Sequence, residues 1–122
     1  MVLGLHRAIL FVKNLDLMMK FYTEGFGLWP DSSSAQNGWV VLESKVAALG
    51  LQVVPPSIGK NITIGRPPKA RENTPIKLCF STDDINRSRD HLISCGAHML
   101  EVNPWGCDGI DPEGNVFQIN QM

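Results

Sequence analysis

The order of apolar and polar positions divides the chain into short strands and two amphipathic helices. Ala8 to Val12 is a β-branched and aromatic run that reads as a buried strand. Asn14 or Asp16 then caps a helix in which Leu15, Met18, Met19 and Tyr22 recur at helical spacing, and Gly25 and Gly27 end it. Two strands follow, Gly38 to Leu42 and Ala47 to Val54, with Glu43 to Lys45 as the turn between them. From Ile76 the plan starts again. Ile76 to Phe80 is a strand, and Asp83 or Asp84 caps a helix from Ile85 to Cys95 with Ile85, Arg89, Leu92 and Cys95 on one side. Gly96 stops that helix, a strand covers His98 to Val102, and the turn Asp111 to Asn115 leads into a last strand, Val116 to Ile119.

The halves coincide under a shift of seventy positions, which lays Val12 on Thr82, Asn14 on Asp84, Leu15 on Ile85 and Tyr22 on Leu92. A strand, a capped helix, a glycine stop and further strands, occurring twice, indicate internal duplication. The expected organisation is one α+β domain over 1–122, with module one at 1–54, a linker at 55–75 and module two at 76–122. The linker stretch holds Pro55, Pro56, Pro67, Pro68 and Pro75 with Lys60, Arg66, Lys69 and Arg71, and reads as a surface excursion.

Bulk properties exclude more than they assign. A net charge of -1 gives no general attraction to nucleic acid or to an acidic membrane surface. The cations of 55–75 lack the interleaved aromatics of a single-strand binder. No apolar run is long enough to span a bilayer, and the first residues lack the pattern of a secretory leader. Three cysteines without a CxxC pair point to free thiols in a reducing cytoplasm, not to a disulfide scaffold or structural zinc.

Three segments carry a resemblance to a known family: Phe11 to Leu28, with its Val-Lys-Asn-Leu and Phe-Tyr pairs; Phe80 to Ile85 through Leu92 to Ala97; and Pro104 to Gly106 followed by Asp111-Pro-Glu-Gly-Asn-Val-Phe-Gln118. In this order they resemble the glyoxalase/bleomycin-resistance/extradiol dioxygenase (vicinal oxygen chelate) superfamily. The resemblance implies two βαβββ modules whose curved sheets enclose a cavity, and a homodimer in which two chains complete the sites. It also implies either a divalent metal held by His, Glu or Gln, or metal-free capture of an organic molecule.

The resemblance implies four metal-ligand positions. The first lies seven residues before the cap, which is Arg7, not His6. The third is its repeat equivalent Lys77, the second falls near Gly50, and the fourth at Gln118. Cations offer no lone pair at neutral pH, glycine has no side chain, and one amide oxygen cannot hold a metal alone. No metal and no other cofactor is therefore expected. His6 would enter only through a register slip or bulge, because strand alternation turns it away from Arg7, Ile9 and Phe11. His91, beside Asp90, and His98 read as solvated surface residues.

The same parity places Arg7, Ile9, Phe11, Gln52, Lys77, Cys79, Ser81 and Gln118 on the inner surface. Cations and amides among apolar walls suit a small organic molecule, with an anion such as a carboxylate favoured by the charges. The competing reading is that Arg7 and Lys77 lie at strand ends, reach solvent and pair with acids such as Glu43 or Glu101. Cys79 could serve as a nucleophile beside a cation or simply pack, and no catalytic residue is assigned. Trp29, Trp39 and Trp105 could line a mouth or belong to core and interface. Three functions stay open: a metal-free ligand-binding protein; a metal-dependent lyase, isomerase or dioxygenase with displaced ligands; and an interaction or regulatory domain with a vestigial cavity.

Overall fold

The computed structural model describes residues 1–71 and 76–122; Pro75, counted above with the proline-rich stretch, lies outside them. The chain forms two compact units, Met1–Asn61 and Ile62–Met122. The first runs β1 (Arg7–Val12), α1 (Leu15–Phe26), β2 (Trp29–Gln36), β3 (Trp39–Glu43), β4 (Ala48–Val53) and a short α2 (Pro56–Gly59). The second runs β5 (Leu78–Thr82), α3 (Ile85–Ser94), β6 (His98–Asn103), β7 (Gly106–Ile110) and β8 (Val116–Gln121). Each unit builds a four-stranded sheet of the same topology, β1-β4-β3-β2 and β5-β8-β7-β6, in which the first and last strands pair in parallel. These are two βαβββ modules.

The duplication is visible at the helix starts. Asn14 Oδ1 accepts from Leu17 N–H at 3.0 Å, and Asp84 Oδ1 accepts from Arg87 N–H at 3.1 Å. Each cap satisfies one of the donors that a first helical turn leaves open. At the other end of α1, Gly27 adopts φ 71°, which side chains with a Cβ resist, so the helix includes Gly25 and stops at Gly27.

Alternation then sorts each sheet into two faces. In the first unit Val12, Val40, Leu42, Leu49 and Leu51 are buried together with Met18, Phe21 and Tyr22 of α1, which packs on β3 and β4. Phe21 meets Tyr22 edge-on at 5.0 Å and Phe26 at 5.8 Å, a packed aromatic cluster. In the second unit Ile85 and Leu92 of α3 are buried with Met99, Cys107, Phe117 and Ile119. Gly109 is required there: a Cβ would lie 2.4 Å from Met99 Sδ and 2.6 Å from Phe117 Cζ.

Two strands lack the alternation that reveals the others. β2 reads Trp-Pro-Asp-Ser-Ser-Ser-Ala-Gln, and its register with β3 breaks between Asp31 and Gln36. Ser34 Oγ accepts the Val41 N–H at 2.9 Å at that break. β7 reads Gly-Cys-Asp-Gly-Ile. β6 carries a matching irregularity between Met99 and Val102. Here Arg89, expected on the apolar side of α3, instead sends its Nε–H to Leu100 O at 2.7 Å, satisfying a carbonyl beside the break.

The proline-rich stretch contributes to both units. Ile62 and Pro68 are buried, and Arg71 N–H donates to Gly114 O at 2.9 Å, tying this segment to the turn before β8.

Candidate functional site

The residues that the sequence singles out lie on the sheet faces opposite the helices. In the first unit the register aligns Arg7 with Ala48, Ile9 with Gly50 and Phe11 with Gln52, and carries on to Val41 and Trp39 of β3. Arg7, Ile9 and Phe11 are exposed, the last two by 49% and 56%, so this face presents apolar side chains to whatever occupies it. Trp39 leans across the sheet onto Gly50, where a Cβ would come within 2.4 Å of the indole. The absent side chain is what lets the ring lie down. The Arg7 guanidinium carbon sits 5.6 Å from the centre of the Trp39 ring, within cation–π range. Gln52 Nε2 donates to Val53 O at 3.1 Å, which turns its amide onto the backbone.

The equivalent face of the second unit is polar. Cys79 pairs in register with Gln118, Ser81 with Asn120, and Gln118 with Asp108. Lys77 Nζ lies 3.0 Å from Asp108 Oδ2, and Gln118 Nε2 donates to Asp108 Oδ1 at 3.1 Å. Asn120 Nδ2 donates to Gln118 Oε1 at 3.0 Å and to Trp105 O at 2.8 Å. Lys77 Nζ also stands 5.8 Å from the centre of the Trp105 ring. Each unit thus holds a cation over an indole, but among the described residues only the second neutralises it with a carboxylate.

The predicted residues therefore fall into two sets: Arg7, Ile9, Phe11 and Gln52 on one face of the first unit, and Lys77, Cys79, Ser81 and Gln118 on one face of the second. The acid that meets Lys77 is Asp108, not Glu43 or Glu101. Asp108 escaped the sequence reading because β7 was not recognised as a strand. Its spacing of ten before Gln118, across the Asp111 turn, is the signal that would have placed it. Cys79 Sγ is 3.8 Å from Gln118 Oε1 and 3.9 Å from Lys77 O, and neither atom is a basic nitrogen able to take a thiol proton. Cys107 is fully buried, and desolvation pushes its thiol above the usual range despite the opposing pull of Arg89. It is a packing residue.

The four implied metal positions, Arg7, Gly50, Lys77 and Gln118, do not fit a metal. Arg7 and Lys77 are donors only, Gly50 lies under an indole, and the Gln118 amide is held within the Asp108–Asn120 network. Among the described residues no three His, Cys, Asp or Glu side chains cluster to hold one. His6 precedes β1 and is exposed, its carbonyl accepting Ala48 N–H at 2.8 Å. A hollow of about 130 Å³ beside Trp105, Asn120 and Gln121 falls below the roughly 300 Å³ at which small-molecule sites begin. His91 is exposed, yet its Nε2 lies 3.7 Å from Cys95 Sγ, a pairing that the four-residue helical spacing could have disclosed.

A family model described as a glyoxalase-like domain matches residues 8–120. Among curated proteins nothing matches. A glyoxalase/bleomycin resistance protein/dioxygenase family enzyme from Burkholderia phytofirmans PsJN is 19% identical, with a TM-score of 0.72 over 94% of this chain and 95% of the other. The genomically encoded fosfomycin resistance protein FosX of Listeria monocytogenes is 15% identical, with a TM-score of 0.75 over 100% and 93%. An integron cassette protein from the mobile metagenome of V. cholerae is 20% identical, with a TM-score of 0.69 over 99% and 96%. Likeness at these identities is a likeness of fold.

Proposed function

The chain belongs to the glyoxalase-like domain family, and from that premise we propose that it binds a small organic anion without a resident metal. The observation that carries this is Arg7. It stands on an exposed, largely apolar sheet face with its guanidinium carbon 5.6 Å from the Trp39 ring centre, and no carboxylate among the described residues forms an ion pair with it. A guanidinium on an indole keeps its N–H edge for a planar carboxylate, while Ile9 and Phe11 supply apolar contact. Lys77 is already neutralised by Asp108, so anion recognition rests on Arg7. Binding is favoured over catalysis because, among the described residues, the Cys79 thiol meets only the oxygens of Lys77 and Gln118.

A second copy of the chain is the expected partner, since Ile9, Phe11 and Trp29 are about half exposed and gain from being covered. Light scattering at micromolar concentration should give a dimer. No helix among the described residues is long and apolar enough to cross a membrane. The three free cysteines support a cytoplasmic setting.

The test is thermal unfolding against a panel of aromatic and aliphatic carboxylates, with fosfomycin included because FosX shares the fold. At a hundredfold excess over the dissociation constant, a ligand of the native state adds about 2.7 kcal/mol. A rise in melting temperature that is lost in Arg7→Met and kept in Lys77→Met supports the reading. No shift with any compound, or a shift unchanged in Arg7→Met, rejects it.

A further inference from the structure

Away from both sheet faces, α3 carries an imidazole and a thiol on one side of its last turn. His91 Nε2 and Cys95 Sγ are 3.7 Å apart; His91 is exposed and Cys95 half-buried. Residues four apart on a helix face the same way. The spacing is fixed by the backbone, because Cys95 N–H donates to His91 O at 3.1 Å. Zinc holds thiolate sulfur at about 2.3 Å and imidazole nitrogen at about 2.0–2.1 Å, so a tetrahedral ion spans a sulfur–nitrogen separation of about 3.6 Å. The pair already stands at that separation, with the ring nitrogen turned toward the sulfur.

We propose that His91 and Cys95 form a two-donor site for a zinc-like divalent ion on the outer surface of α3. The neutral imidazole binds through the Nε2 lone pair, and the sulfur binds as thiolate, its proton passing to solvent. Two protein donors leave two tetrahedral positions to water. The ion is therefore exchangeable, unlike one in a closed four-ligand structural site. The site is independent of anion binding, since neither residue lies on a sheet face and Arg7 is in the other unit.

Cobalt(II), which reports on its ligands spectroscopically, is the probe. Titrating the purified protein should produce a sulfur-to-cobalt charge-transfer band, removed by added zinc. Cys95→Ser should abolish the band, and His91→Gln should weaken cobalt binding at least about tenfold, in line with the loss of one chelating donor. Cys79→Ser and His98→Gln should leave it unchanged. A band that persists in Cys95→Ser, or binding unaltered in His91→Gln, overturns the site, as does the absence of any band at millimolar cobalt. A second reading avoids dependence on colour. In Cys79→Ser protein the buried Cys107 leaves Cys95 as the accessible thiol, and saturating zinc should slow its alkylation at least tenfold. An unchanged alkylation rate would equally overturn the proposal.

Discussion

Asp108 Oδ2 holds Lys77 Nζ at 3.0 Å, while Oδ1 of the same carboxylate takes the Gln118 amide at 3.1 Å. The two partners of this pair should therefore respond unequally to removal. The Lys77 side chain is 40% exposed, so Lys77→Met loses a screened ion pair and should cost less than about 1 kcal/mol. Asp108→Ala also strips Gln118 of its acceptor on a more sheltered part of the face, and should cost about 1–2 kcal/mol. Urea denaturation of both variants measures the difference; equal costs would show that Asp108 acts only through charge.

Gly50→Ala places a methyl where the Trp39 ring now lies, 2.4 Å from its nearest atom. Because Trp39 is only half-buried, the ring can swing outward, and the expected cost is about 1–2 kcal/mol. Tryptophan emission should shift to longer wavelength as the indole meets water. In a Trp39→Leu background the cost of Gly50→Ala should shrink by at least half, and a double-mutant cycle that shows no coupling would contradict this packing.

Cys107 should make stability fall in alkaline solution. Desolvation raises its thiol above the ordinary value of 9.0, so between that value and the folded one the unfolded chain ionises while the folded chain keeps its proton. The unfolded state then binds fewer protons, and stability is lost as pH rises through this window. Comparing unfolding at about pH 8 and about pH 10 should show a decline that is smaller in Cys107→Ala, which lacks the thiol.

The two helix caps should be interchangeable in energy. Asn14→Ala and Asp84→Ala each remove one side-chain bond to a first-turn N–H, and each should cost about 1 kcal/mol. Asn14→Asp should be tolerated, since an aspartate does the same work at the equivalent place. Denaturation midpoints of the three variants check this.

The duplication was legible because it is written in features that a sequence displays directly: caps at Asn14 and Asp84, and apolar runs before them. Strand parity was equally readable, since Arg7, Ile9 and Phe11 are exposed while Val12 is buried as alternation requires. What escaped was structure held by backbone and polar groups. β2 has no apolar alternation, yet Asn37 and Gly38, at φ 49° and 77°, form the two-residue turn that aligns Gln36 with Trp39. An Asn-Gly pair before Trp39 announces such a hairpin. For Lys77 the sequence leaves a ligand and an acid such as Glu43 or Glu101 both open, because its partner Asp108 lies in β7, whose Gly-Cys-Asp-Gly sequence gives no periodic signal. Long-range polar pairing depends on register, and register across an unrecognised strand cannot be counted.

The outermost strand of the first sheet bears on how this chain keeps company in a crowded solution. β2 ends the order β1-β4-β3-β2, so one of its sides has no neighbouring strand within the sheet. An unprotected edge of that kind recruits other chains into fibres. Here Pro30 offers no N–H, the register breaks after Asp31, and Asp31 Oδ1 draws in the Ser33 hydroxyl at 2.6 Å and the Ser33 N–H at 3.1 Å. Pro30 thus has no N–H to offer a docking strand, and the Ser33 N–H is already taken. A sheet that displays Ile9 and Phe11 on its face is in this way bordered, on its β2 side, by a margin that is a poor template for growth.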